Sequence, residues 1–102
     1  MQIRWQDDAI NDLIQVRRFI AVDNPSAAAR VAHRIRSAAP ELDKQPGMGR
    51  PGRVPGTRER VLVDVPYIIA YRVEENSVVI LRVVHTSVSL FKHHTRPFND
   101  SS

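Results

Sequence analysis

Three apolar runs of strand length follow one another almost without a gap, at residues 58–65, 67–73 and 78–85. Pro66 alone separates the first two, and Glu74-Glu75-Asn76-Ser77 separates the last two. A parallel crossover needs about a dozen residues or more. These runs must therefore lie antiparallel, as a meander. If Glu75-Asn76 is the hairpin loop, Glu74 faces Ser77 and Ile69 faces Arg82. One sheet face then carries Tyr67, Ile69, Tyr71, Val78, Ile80, Arg82 and Val84, and the other Ile68, Ala70, Arg72, Val79, Leu81, Val83 and His85. Both faces are rich in apolar residues, whereas a small antiparallel sheet normally buries one and wets the other.

The first half of the chain supplies the layer that covers one face. Ile3 and Trp5 alternate with Gln2 and Arg4, a brief strand over residues 2–5. Asp7 or Asp8 is the expected N-cap of a first helix. Its apolar stripe is Ala9, Leu13, Val16 and Ile20, widened by Ile10 and Ile14. Asp23-Asn24-Pro25 ends that helix and starts the next, with Asn24 as cap and Pro25 at the first helical position. Ala28, Val31, Ala32, Ile35, Ala38 or Ala39, and Leu42 form the second stripe, with Arg30, Arg34 and Arg36 on a solvated face. Pro40 predicts a kink or a short final turn from Glu41. So short a connection makes the helices an antiparallel hairpin. Residues 45–56 hold three prolines and four glycines and are read as irregular loop.

One helix hairpin covers one sheet face. The other is expected to expose an apolar patch, which marks a partner site, unless Leu90, Phe91 and Phe98 fold back over it. Residues 88–102 show no periodicity and are read as a poorly ordered or divergent tail of a single domain spanning 1–102.

Net charge is +4, and 13 of the 15 basic residues are arginine. Arginine forks suit phosphates and carboxylates; a GC-rich genome also favours arginine over lysine. The net charge itself points to an anionic partner. The absence of cysteine excludes disulfides, cysteine-ligated zinc and a thiol nucleophile. No run approaches the ~18 apolar residues of a membrane span, and the N-terminus shows no apolar signal segment, so the expectation is a cytoplasmic protein without membrane attachment. His33, His85, His93 and His94 lack metal-ligand spacing, and no phosphate-binding glycine loop is present. No metal or cofactor is expected.

The strongest polar cluster is Arg50, Arg53, Arg58 and Arg60. Strand alternation puts Arg58 and Arg60 on one face, where with the loop arginines they can grip a phosphate backbone or an acidic peptide. The competing reading is a charged strand edge that discourages aggregation. A ribonuclease using the 2′-hydroxyl needs a base, an acid and cations. Glu59, His85 and Arg58, Arg60 or Arg82 are the available parts. Alternation turns Glu59 away from the two arginines, and His85 and Arg82 fall on opposite faces. Tyr67 and Tyr71 can stack on bases or pack in the core.

The order of parts resembles the RelE/ParE superfamily of type II toxin–antitoxin toxins from Trp5 to about Thr86. The resemblance rests on Asp23-Asn24-Pro25-x-Ala27-Ala28, Gly49-Arg50-x-Gly52-Arg53-Val54-x-Gly56-Thr57-Arg58-Glu59, Pro66-Tyr67-Ile68-Ile69-x-Tyr71-Arg72-Val73 and Ile80-Leu81-Arg82-Val83-Val84-His85. It implies an α+β fold of order β-α-α-β-β-β, with the helix hairpin on one sheet face. It also implies a cognate antitoxin that wraps the toxin and carries the complex to operator DNA. RelE-like members cleave mRNA on the ribosome; ParE-like members poison DNA gyrase. Where the nuclease pattern has a Lys-x-Lys pair this chain has Glu59 and Val61, and where it has an arginine after the turn tyrosine this chain has Ile68. Thr86-Ser87-Val88-Ser89-Leu90 offers no arginine, and no tyrosine follows. The resemblance is thus closer to ParE, with gyrase as the implied target. Arg50, Arg53, Arg58, Arg60, Tyr67, Tyr71 and Arg82 are the candidate residues for target or antitoxin. A ribosome-dependent nuclease using Arg58, Arg60, Arg82 and His85, or an inactive toxin that still binds its antitoxin, are the alternatives.

Overall fold

Asn24 fixes the corner of the helix hairpin. Its side chain accepts from the Ala27 N–H at 3.0 Å, and Pro25 follows at the first helical position. On either side run α1 (Asp7–Ala21) and α2 (Pro25–Lys44). The cap of α1 is Gln6, not Asp7 or Asp8. Its extended backbone presents a carbonyl to the Ala9 and Ile10 N–H groups, with no side-chain cap. The two aspartates sit inside the first turn, where their charge still meets the positive end of the helix. Helix α2 runs through Pro40 to Lys44 as one element. Pro40 deletes only the bond to the Arg36 carbonyl, and both residues are exposed, so water can take that oxygen.

The computed structural model describes residues 1–87. Strand β1 (Gln2–Trp5) precedes the helices. After them come a 3-10 turn (Pro46–Met48), β2 (Arg50–Pro51), β3 (Arg58–Val61), β4 (Tyr67–Val73) and β5 (Ser77–His85). They form one five-stranded sheet in the order β1-β5-β4-β3-β2, with β1 parallel to β5 and the remaining pairs antiparallel. The α+β fold and the meander agree with the sequence reading. The first run stops at Val61, short of residue 65. The Gly/Pro loop holds a strand and a 3-10 turn where only irregular chain was expected. Two devices shape it. Val54-Pro55-Gly56-Thr57 closes with a Thr57 N–H to Val54 O bond of 3.1 Å, and Gly56 takes φ +84°, which a side chain would disfavour. Gly49 lies against the Tyr71 ring, where an added Cβ would sit 2.6 Å from the hydroxyl.

The β4–β5 hairpin turns at Glu75-Asn76 as read, with Glu74 N–H bonding Ser77 O at 2.8 Å and Val73 opposite Val78. Leu81 then bulges: Tyr71 faces Ile80, but Ala70 faces Arg82. The extra residue shifts the register by one and exchanges faces beyond it. Ile69 faces Val83, not Arg82. Val83 and His85 join Tyr67, Ile69, Tyr71, Val78 and Ile80 on the helix side; Arg82 and Val84 leave it. Ile35, Ala38, Ala39 and Leu42 of α2 and Ala9 of α1 close this core. Burying each of Ile35, Ile69 and Ile80 contributes roughly 1.5–3 kcal/mol. Ala28 and Ala32, also buried, keep the second stripe narrow.

The far face is not bare at its centre. Ile68 and Val79 are buried, against the expected exposed patch. Val79 lies in one row between Arg4 and Arg72. Glu74 ties both arginines together, at 3.5 and 2.8 Å, and long arginine stems shield apolar neighbours in such rows. The tail expected at 88–102, with the fold-back of Leu90, Phe91 and Phe98, lies outside the described residues. Among the described residues, the most exposed large apolar side chains sit elsewhere: Val63, Val22 and Phe19.

Candidate functional site

The predicted arginines do not converge. Arg58 and Arg60 share the helix-side face of β3, as alternation requires, and each is committed there. Arg58 donates to the Gly49 carbonyl at 2.7 Å and to that of Gly47 at 3.4 Å, so it folds the loop. Arg60 donates to the Ala38 carbonyl and to Glu41, near the negative C-terminal end of α2. Arg50 was expected beside them. It stands instead opposite Glu59, on the other face, with Nε and one terminal nitrogen on the Glu59 carboxylate at 3.1 and 3.0 Å. Arg53 is exposed in the loop with no ion-pair partner among the described residues.

Arg82 is bound most completely. Asp12 of α1 accepts its Nε at 2.7 Å and a terminal nitrogen at 3.0 Å. The same carboxylate accepts the Val83 N–H at 2.8 Å. The Arg82–Asp12 hydrogen bond, with the carboxylate charge, drives the guanidinium pKa up. Asp12 belongs to no motif, and sequence reasoning missed it. Its only signal is a lone acid on a helix flank.

Tyr71 is a core residue. Its hydroxyl accepts the Gly49 N–H at 2.9 Å and donates to the Pro46 carbonyl at 2.7 Å. Tyr67 is buried too, and burial pushes its phenol pKa up. Its ring meets His85 edge-on at 5.1 Å. The Ser87 N–H donates to His85 Nδ1 at 3.0 Å. His85 and Arg60 are separated by β4, roughly 10 Å by strand spacing, with buried Ile69 and Tyr67 between them. Glu59 faces away from both. Glu59, His85 and Arg60 are therefore not brought to one point.

Among the described residues, two concavities include residues of the predicted site. One, of about 440 Å³, lies between α1 and the end of β5. Val16, Phe19, Tyr67 and Val83 give it apolar walls, and Asp12 and His85 its polar groups. Phe19 is 78% exposed at its rim. The other, about 380 Å³, lies along β3 and holds Arg34, Arg50 and Arg60.

Over residues 3–89 the sequence matches the family model described as the ParE toxin of the type II toxin–antitoxin system, parDE. The chain belongs to this family. The ParE-family chain is 48% identical over 84 residues to the candidate toxin Y4kP of Sinorhizobium fredii, covering 82% of this chain and 86% of that one. It is 35% identical to toxin RelE2 of Caulobacter vibrioides, over 84% of this chain and 96% of the relative. Its fold superposes on a chain of the chromosomal ParDE toxin–antitoxin system of P. aeruginosa with a TM-score of 0.76. That match has 27% identity and covers 83% of this chain and 95% of the other. The ParE-family chain is thus a toxin of a type II toxin–antitoxin system, of the RelE/ParE superfamily. Among its described residues no helix is long and apolar enough to cross a membrane.

Proposed function

We propose that this toxin arrests growth by binding DNA gyrase rather than by cutting RNA, and that a cognate antitoxin neutralises it by covering its surface. One observation carries the proposal. The cations a nuclease would need, Arg58, Arg60 and Arg82, are held by Gly49, Glu41 and Asp12, on three separate parts of the framework. Cleavage through a 2′-hydroxyl needs proton transfer and charge stabilisation at one phosphate, and this arrangement supplies a platform instead. The apolar concavity beside exposed Phe19 suits a protein partner, since buried aromatic anchors dominate such contacts. The antitoxin half is supported by the likeness to the P. aeruginosa ParDE system.

Purified chain added to a gyrase supercoiling reaction tests the proposal. Supercoiling falls and cleaved DNA accumulates if it holds; unchanged supercoiling without trapped breaks overturns it. A ribosome-dependent nuclease is the second reading, favoured by the 35% identity to RelE2. New 5′ ends on translated mRNA after brief induction would establish it. Co-expression with the neighbouring small reading frame tests neutralisation: growth returns if that frame encodes the antitoxin.

A further inference from the structure

The arginines of the sheet and those of the helix hairpin are used in opposite ways. Arg4, Arg50, Arg60, Arg72 and Arg82 each hold a carboxylate. Arg58 holds the Gly49 carbonyl, and Arg34 of α2 reaches Asp64 at 2.7 Å. Among the described residues, Arg17, Arg18, Arg30, Arg36 and Arg53 have no such partner. All of these but Arg53 stand on α1 and α2, and all four helix arginines are exposed. Exposed His33 and Lys44 extend the row on α2.

The sequence itself leaves these cations unanswered. Between Asp12 and Glu41 the only acid is Asp23, at the hairpin corner. Asp12 and Glu41 are themselves spent, on Arg82 and Arg60. A face that serves solubility alone interleaves both signs. Here Arg30 and Arg34 stand at i,i+4 spacing, where like charges weaken a helix. A field of one sign, held at that cost, suits an anionic partner. The antiparallel hairpin also joins the two helices into one surface: Arg18 lies in the last turn of α1, level with the first turns of α2, which lead to Arg30.

We propose that the outer face of this helix hairpin binds the phosphate backbone of duplex DNA. From Arg30 to Lys44, α2 advances about 21 Å at ~1.5 Å per residue. A duplex presents roughly a dozen charges over that length, at one per ~1.7 Å. Guanidinium forks match phosphate oxygens. Around its cations α2 exposes Ser26, Ala29 and Pro40, and it exposes no large apolar side chain to anchor a protein. It carries no aromatic ring on which single-strand bases would stack. Phe19 of α1 lines the concavity beside β5 instead. The site goes beyond the gyrase reading and does not depend on it.

The whole chain is titrated with a short labelled duplex of mixed sequence, and with a single strand of the same length and polyglutamate as competitors. The duplex binds, and it is displaced more weakly by either competitor than by unlabelled duplex. Two triple variants are compared. Replacing Arg18, Arg30 and Arg36 by Gln weakens duplex binding about tenfold or more, and the slope of log affinity against log salt falls in magnitude by about 2–3. Replacing Arg4, Arg50 and Arg72 by Gln removes the same formal charge from the sheet and changes both far less. Lys at positions 18, 30 and 36 restores most of the affinity. In the unsubstituted chain, duplex shields Arg18, Arg30 and Arg36 from an arginine-directed dicarbonyl reagent, a readout independent of how the variants fold. No duplex binding, equal losses in the two triples, unchanged reagent access, or tighter binding of the single strand or polyglutamate overturns the proposal. The assay contains neither gyrase nor the neighbouring gene product, so its failure is separable from theirs.

Discussion

Two stretches of bare strand edge flank this sheet, and they are treated differently. Strand β5 outruns β1 after Ile80, and there Asp12 reaches from α1 to accept the Val83 N–H and grip Arg82. Strand β3 outruns β2 after Glu59, and there Val61 meets no strand among the described residues. At β5 a single carboxylate substitutes for the missing neighbour strand and carries a charged hydrogen bond of roughly 1.5–3 kcal/mol. At β3 the chain places braced arginines and exposed valines and leaves the backbone pair free. The closed edge serves stability, while the open edge leaves a backbone donor and acceptor unspent.

Proline at the two edges breaks or confirms that contrast most sharply. Val83→Pro deletes the donor to Asp12 and disturbs a buried residue, with an expected loss of about 3 kcal/mol. Val61→Pro deletes a donor with no internal partner, with a loss below about 0.5 kcal/mol. Urea midpoints measure both, and equal losses would erase the distinction. Asp12→Ala is next, at about 2–3 kcal/mol, since Val83 and Arg82 lose one shared acceptor. For a chain this small that lowers Tm by roughly 10–20 °C. Asp12→Asn keeps an acceptor and should recover part of the loss.

Tyr71→Phe acts on the open edge from beneath. The Pro46 carbonyl and Gly49 N–H lose their shared hydroxyl. The expected cost is about 1–2 kcal/mol, with faster amide exchange at Gly49 and through β2. The smallest effect concerns Asp64, which braces Arg34. The hydrogen bond from Arg34 holds its carboxyl below the ordinary 3.8, although the group is exposed. A folded-state pKa below the unfolded one means that this contribution is present above about pH 3.8 and fades as pH falls through the folded value. Asp64→Asn should therefore differ slightly from the parent at pH 7 and converge with it in acid, as thermal melts across that range would show.

The helix hairpin was legible because its signals are local: Asn24 and Pro25 fix a cap through neighbouring atoms, and the alanine stripe repeats at helical spacing. The meander was legible because its connections are too short for any alternative. The Leu81 bulge was not, since no residue there marks an extra position, and missing it reversed the faces of Arg82, Val83, Val84 and His85. Strand β2 escaped because two residues carry no period; only Gly49, pressed against Tyr71, hints that this loop is packed. The arginine cluster looked like a site because sequence shows which cations are near one another but not which carboxylates answer them. Asp12 and Arg82 lie 70 positions apart, and their pairing belongs to the fold. The separation of Glu59 from Arg58 and Arg60, by contrast, follows from strand parity and was readable at once.

The most direct test of binding without cleavage is controlled expression of the chain, with plasmid supercoiling and the 5′ ends of translated mRNA read from the same cells. The account predicts disturbed supercoiling and an unchanged set of mRNA ends. New mRNA 5′ ends with supercoiling unchanged would contradict it.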